Sequence, residues 1–252
     1  MDLSYDVYAS GFKALHADFD VKLDPKAYDI AIEARTQGMI GGLFPWQGSY
    51  RTAGHNDDNT LIPTQHTARS VWQKKEKLTE ISYAPNGDVL KMTTREDGKT
   101  VTDRNINKAL SEDSVDLLTG TLLMIQSAKI TDKCAGSIPV FDGKRRYNLV
   151  LKGDMMDEIR KSDYSIYSGP ALKCTLNVEP VAGFKPKDQK RGWMAIQNHT
   201  LARRKPPTIW FAAVEPGGPV VPVRMEISSD YGAAVAHVTA SHTRVSKKAA
   251  KD

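Results

Sequence analysis

The chain is poor in the residues that announce a chemistry. It carries two cysteines and six histidines in 252 residues. Two thiols make neither a disulfide-dense scaffold nor, by themselves, a structural zinc site. His16, His55, His66, His199, His237 and His242 stand apart, with no His-Glu-x-x-His spacing, and no Gly-x-Ser-x-Gly elbow occurs. No apolar run approaches the ~20 residues that a transmembrane helix needs. His55-Asn56-Asp57-Asp58-Asn59 gathers ligand types in a row but lacks calcium-loop spacing, and reads as a polar loop. Gly98-Lys99-Thr100 echoes the end of a phosphate-binding loop, yet Thr93 occupies the place of the leading glycine. Of the carboxylate groups, Asp113 with Asp116 reads as charge at a helix N-terminus, and Asp154 with Asp157-Glu158 as surface loop. No catalytic residue, metal or cofactor is expected from these patterns.

Charge is also modest. Thirty-five Lys+Arg against 30 Asp+Glu leave +5, scattered over Lys74-Lys75, Lys144-Arg145-Arg146, Arg203-Arg204-Lys205 and the tail. Aromatics do not interleave with these basic groups, so nucleic acid is not an expected partner. The basic groups read as solvated strand ends and a basic extension, or as weak attraction to anionic lipid headgroups.

What the chain does have is alternation. Leu15, Ala17, Phe19, Val21 and Leu23 alternate with polar residues, and after the turn at Asp24-Pro25-Lys26 so do Tyr28, Ile30, Ile32 and Ala34. This period of two predicts a long antiparallel hairpin, preceded by a strand at Tyr5-Val7-Ala9. Strands are predicted at 66–73 and 76–84, closed by the Asn86-Gly87 turn. Others follow at 138–140, 147–151, 157–166, 171–180, 191–199, 207–214, 220–228 and 232–241. Residues 96–109 read as a polar stretch.

Between Val115 and Ile125 the period changes to that of a helix, predicted over 112–127, with Ser111 or Ser114 as its cap. Its apolar stripe includes Leu118, Leu122 and Ile125. The expected fold is mainly β: a single domain over 1–245, a curled antiparallel barrel or spiral of roughly a dozen strands. The one helix packs on it or plugs it, and 246–252 is a charged, flexible tail.

Met39-Ile40-Gly41-Gly42-Leu43-Phe44-Pro45-Trp46 interrupts the strands with large apolar side chains. Met39, Leu43, Phe44 and Trp46 are expected to fold over one end as a plug. The functional alternative is the lip of an apolar ligand groove, or a loop touching acyl chains. Trp72, Trp193 and Trp210 are expected in the core, and His16 and His66 on exposed strand faces. Cys174 falls on the inward face of its strand and Cys134 just before another. The pattern alone leaves open one bridge or two separate thiols. The chain opens directly into strand pattern, as a cytosolic protein or a mature chain without its leader would.

Several landmarks together resemble a bacterial envelope family, DUF3108, most closely its alphaproteobacterial members. They are Tyr5-Asp6-Val7-Tyr8-Ala9-Ser10-Gly11, Gly38, Gly48-Ser49-Tyr50, Leu61-Ile62-Pro63 and Asp116-Leu117-Leu118-Thr119. Val140-Phe141-Asp142-Gly143-Lys144-Arg145-Arg146-Tyr147 follows Cys134, Cys174 is followed by Ala182-Gly183-Phe184, and Val221-Pro222-Val223-Arg224 comes near the end. The architecture is similar to envelope-integrity β-spiral proteins and to periplasmic lipoprotein carriers, whose curled sheet shelters acyl chains beside a helical plug. The resemblance implies a secreted precursor, a periplasmic mature form lacking its signal peptide, and a Cys134–Cys174 disulfide. It implies a non-enzymatic role in envelope maintenance, structural or partner-binding. The alternative is a carrier of a lipid or other hydrophobic ligand in an apolar groove inside the sheet, and the third reading is a hydrolase. Lipid or another envelope protein is the expected partner.

Overall fold

The computed structural model describes residues 1–58, 60–131, 133–186, 205–229 and 232–243. Fourteen strands among them form one antiparallel sheet in the order β8-β7-β6-β5-β4-β3-β2-β1-β14-β13-β12-β11-β10-β9. The first half comprises β1 (Asp2–Ala9), β2 (Phe12–Leu23), β3 (Ala27–Thr36), β4 (Trp46–Asp57), β5 (Thr60–Trp72), β6 (Lys75–Tyr83), β7 (Val89–Glu96) and β8 (Lys99–Asp103). The second comprises β9 (Cys134–Phe141), β10 (Arg146–Ile159), β11 (Gly169–Ala182), β12 (Thr208–Ala213), β13 (Val220–Ser229) and β14 (Gly232–His242). Each half is a meander in which consecutive strands pair. The halves meet where β1 pairs with β14. Three helices are described: α1 (Gly38–Leu43), α2 (Lys108–Ser111) and α3 (Leu117–Thr131).

The expected period of two is realised in the core. Leu172, Cys174, Leu176 and Val178 of β11 are all buried, as are Tyr28 and Ile30 of β3. The Asn86-Gly87 turn forms with Gly87 at φ +88°, where a residue without Cβ avoids a steric penalty.

Several elements differ from the sequence reading. The helix starts at Leu117 rather than 112, because Val115 is drawn into a bridge with Val140 of β9. In it the Val115 amide donates to the Pro139 carbonyl and Val115 accepts from Phe141. Neither Ser111 nor Ser114 caps α3, since Ser114 spends its hydroxyl on the Ser111 carbonyl. The strand around 157–166 stops at Ile159. Strand β8 lies inside the stretch read as polar, and all its residues are exposed. An edge strand with no buried face gives no alternation to read. The strand expected at 191–199, Trp193 and the tail 246–252 lie outside the described residues.

The sheet is curled but not closed. Its edges are β8 and β9, and among the described residues no ladder joins them. The edge strand β9 meets the first half two strands in from β8: Phe141 packs with Ile81 and Tyr83 of β6. Helix α3 lies inside the curl and touches both limbs. Leu118 and Leu122 pack with Val21, Tyr28, Ile30 and Leu61 of β2, β3 and β5. Met124 and Ala128 join the cluster of Val140, Leu149, Cys174, Ile209 and Phe211 from β9 to β12.

Cys134 and Cys174 form a disulfide between β9 and β11, with Cα atoms 5.6 Å apart. These strands are second neighbours, which normally lie about 9–10 Å apart. The intervening β10 steps aside: its ladder with β11 slips between Lys152 and Met155. Gly153, inside that slip, has φ +132°, and a Cβ there would lie 2.9 Å from the Lys173 carbonyl oxygen. A glycine is needed both for the conformation and for the close passage. The bridge spans 40 residues. Replacing both cysteines by alanine is therefore expected to lower the unfolding free energy by about 4 kcal/mol, read as a shifted urea midpoint. An unshifted midpoint would contradict this.

Candidate functional site

Where the N-terminus of α3 meets the sheet, polar groups converge in an otherwise apolar interior. Asp116, Thr119, Thr52 of β4 and His66 of β5 are all buried. Thr52 and His66 face each other across the β4–β5 ladder. Asp116 is the cap of α3. Its Oδ1 accepts from the amides of Leu118 at 2.9 Å and Thr119 at 3.2 Å, two of the donors that a helix start leaves without partners. The same oxygen accepts from the Thr52 hydroxyl at 2.6 Å, and Oδ2 accepts from the Thr119 hydroxyl at 2.6 Å.

The remaining protons follow by elimination. Because Thr119 gives its hydroxyl proton to Asp116, the 2.7 Å contact with Tyr28 is donated by the tyrosine. Because Thr52 does the same, its 2.8 Å contact with His66 is donated by Nδ1–H. That nitrogen also lies 3.3 Å from Asp116 Oδ1. His66 is thus protonated at Nδ1. Burial by itself raises the Asp116 pKa. The hydrogen bond and charge of His66, with the Thr119 and Thr52 hydroxyls, outweigh it and hold the carboxyl below its usual value.

Tyr83 completes the cluster differently. Its hydroxyl is buried with no hydrogen-bond partner among the described residues. Burial first, then the charge of Asp116 and the neighbouring Tyr28, push its pKa well up.

Chemically the cluster is a fastening. Thr52 is fully buried and its proton is committed to Asp116, so it is not poised as a nucleophile, and His66 is a donor at the nitrogen that faces it.

The residues singled out in the sequence fall into three places. Leu118 and Leu122 are buried against the first half of the sheet, and Ile125 packs against the second. Cys134 and Cys174 are bridged behind α3. Met39, Leu43 and Phe44 do not fold over the end of the sheet: they are 59%, 64% and 50% exposed. Helix α1 is held at its start by the Gln37 amide donating to the Ala14 carbonyl and at its end by the Thr36 hydroxyl donating to the Phe44 carbonyl, and buries none of its residues. Trp46 is half-buried, its ring over Gly48. Trp72 is 45% exposed rather than core, with its ring 6.4 Å from that of Phe44.

Trp210 is buried as expected, between Lys173 and Arg224, and donates to Asp157. His66 is buried, against expectation. His16 is half-buried between Asp6 and Asp18. Sequence reasoning missed Thr52, His66, Thr119, Tyr28 and Tyr83 as a group. The available signal was Asp116 alone, an N-cap residue type directly before the apolar run at Leu117-Leu118.

The chain matches the family model described as "Protein of unknown function (DUF3108)" over residues 4–239. The crystal structure of a β-barrel-like protein of domain of unknown function DUF1849 from Brucella abortus is similar over 94% of each chain, at 10% identity and a TM-score of 0.44. No curated protein matches.

Asp116→Ala leaves His66 and two helix amides without their acceptor and is expected to cost roughly 3–5 kcal/mol. Because the folded-state pKa is depressed, the carboxylate's contribution is whole above the ordinary value near pH ~4 and is lost as pH falls through the folded value. Acid should therefore destabilise wild type more than Asp116→Asn in denaturant titrations, and parallel pH curves would contradict the assignment. Tyr83→Phe removes an unmet buried donor and should be neutral or raise stability by about 1 kcal/mol in the same assay. A clear loss would reveal a partner.

Proposed function

The chain belongs to the DUF3108 family, and on that premise we propose that it is a non-enzymatic periplasmic protein with a structural, partner-binding role in the cell envelope, acting as the mature form of a secreted precursor. The observation that carries this reading is the filled interior. Leu118, Leu122, Met124 and Ala128 of α3 occupy the space between the limbs of the sheet, and Asp116 ties the start of the helix to β4 and β5. In a carrier that lumen would hold an acyl chain. Here α3 would have to leave first, exposing a carboxylate network and two apolar clusters.

The disulfide supports an oxidising compartment, since such bridges persist outside the reducing cytosol. The committed Thr52 proton and the buried His66 support a role without catalysis.

Native mass spectrometry of gently extracted protein should give the bare chain, lighter by two hydrogens than its reduced form. Fractionation of the source cells should place it in the periplasm. A co-purifying lipid that survives loss of the exposed apolar rim, and so is held in the interior, would overturn the structural role in favour of the carrier. A reduced, cytoplasmic protein would overturn the compartment.

A further inference from the structure

One rim of the sheet gathers the turn Ser10-Gly11, the segment 37–45 with α1, the turn Gln73-Lys74 and the turn Asp97-Gly98. From the geometry of this rim we propose that α1 and the β5–β6 turn form a docking surface for an anionic lipid bilayer. Met39, Leu43, Phe44 and Trp72 enter the interface, and Lys74 and Lys75 meet lipid phosphates. This deepens the envelope role above by naming the surface that serves it. It rests on that reading only for which bilayer is met, because the vesicle measurement below is independent of compartment.

Four large apolar side chains sit together and between 45% and 64% exposed. Their clustering is not forced by the core, since α1 is fixed by the Gln37 amide and the Thr36 hydroxyl and buries no residue. Phe44 and Trp72 lie ring to ring at 6.4 Å. Phe12, 57% exposed, begins β2 at the same rim. Single exposed apolar residues are ordinary, whereas a contiguous group marks an interaction surface.

Charge decides the kind of partner. Lys74 and Lys75 lie two and three residues after Trp72, across the turn that Gln73 begins. Among the described residues no carboxylate pairs with either, although the neighbouring Arg69 is taken by Glu76 and Lys13 by Asp6. Gln73 and Lys74 form their turn at φ +46° and +73°, a left-handed conformation that glycine and asparagine adopt more readily. A lysine is kept at that strained tip, beside an exposed tryptophan. An indole and flexible ammonium groups over a protruding apolar end match the layered chemistry of a bilayer surface: hydrocarbon beneath, phosphate above. Apolar side chains 45% to 64% exposed beside two lysines fit the surface of an anionic bilayer.

The test is co-sedimentation of the full chain with vesicles of phosphatidylcholine containing phosphatidylglycerol, beside vesicles of phosphatidylcholine alone. Binding should need the anionic lipid and weaken with salt. Lys74→Gln/Lys75→Gln should weaken it about 25-fold, and Leu43→Ser/Phe44→Ser at least about tenfold. Met155→Ser/Met156→Ser, which alters an exposed apolar pair on β10, should bind as wild type. Bromine-labelled acyl chains should quench wild-type tryptophan emission, a reading that depends on no variant. The proposal is overturned by absent vesicle binding, by emission that bromine leaves unquenched, or by rim variants that bind like wild type. It is equally overturned if the rim variants abolish only self-association, which would make the surface a protein interface. Localisation to the cytoplasm would overturn the compartment and leave this result standing.

Discussion

Everything in the interior is arranged around one carboxylate. Asp116 is placed where a helix start, two neighbouring strands and a buried imidazole all need an acceptor, and it satisfies them together. A charge taken that far from water is tolerable only when it is hydrogen-bonded on every side. The requirement runs both ways. The carboxylate needs α3 inside the sheet, and α3 needs the carboxylate to end its backbone without loss. Tyr28, bonded to Thr119, carries the constraint to a third strand.

With the helix fixed, the curl of the sheet follows. A fourteen-stranded meander has two long faces and must bury one of them. Helix α3 supplies the surface to bury against on both limbs, and the edges need not pair because Phe141 bridges to Ile81 and Tyr83. The disulfide acts on the limb that has no share in the Asp116 network. It pulls β9 and β11 together past a bulged β10 and so braces the wall against which the far end of α3 lies. One end of the molecule is thereby organised by hydrogen bonds and the other by a covalent tie. The rim bearing Phe44 and Trp72 is left free of any duty in the core.

The strands were legible wherever one face is buried. The hairpin of β2 and β3 followed from Leu15 to Ala34 because alternation there reflects burial. Strand β8 has no such face, and its pattern carried no signal. The helix starts five residues later than local spacing predicts because Val115 bridges to Val140 through hydrogen bonds with Pro139 and Phe141, a contact with a distant strand that outweighs that spacing. The cap went to Asp116 rather than a serine for the same reason: its partners Thr52 and His66 stand far away in the sequence and come together only by sheet register. His66 looked like any strand histidine. The apolar run at 39–46 was visible, but whether such a run turns inward depends on where its backbone is anchored, and Gln37 anchors it to the edge of β2. Cys134 and Cys174 are visible as residues, but their pairing follows from sequence only through family resemblance; the bulge at Gly153 is what lets second-neighbour strands meet.

The account stands on α3 being a permanent filling rather than a lid. Native-state hydrogen exchange of the α3 amides, compared with those of β3 and β11, addresses this directly. If the helix is part of the core, Leu118 through Met124 exchange only with global unfolding, at the same free energy as the buried strands. If those amides exchange through a smaller opening while the strands stay protected, the helix leaves the sheet on its own and the interior is a site rather than a core.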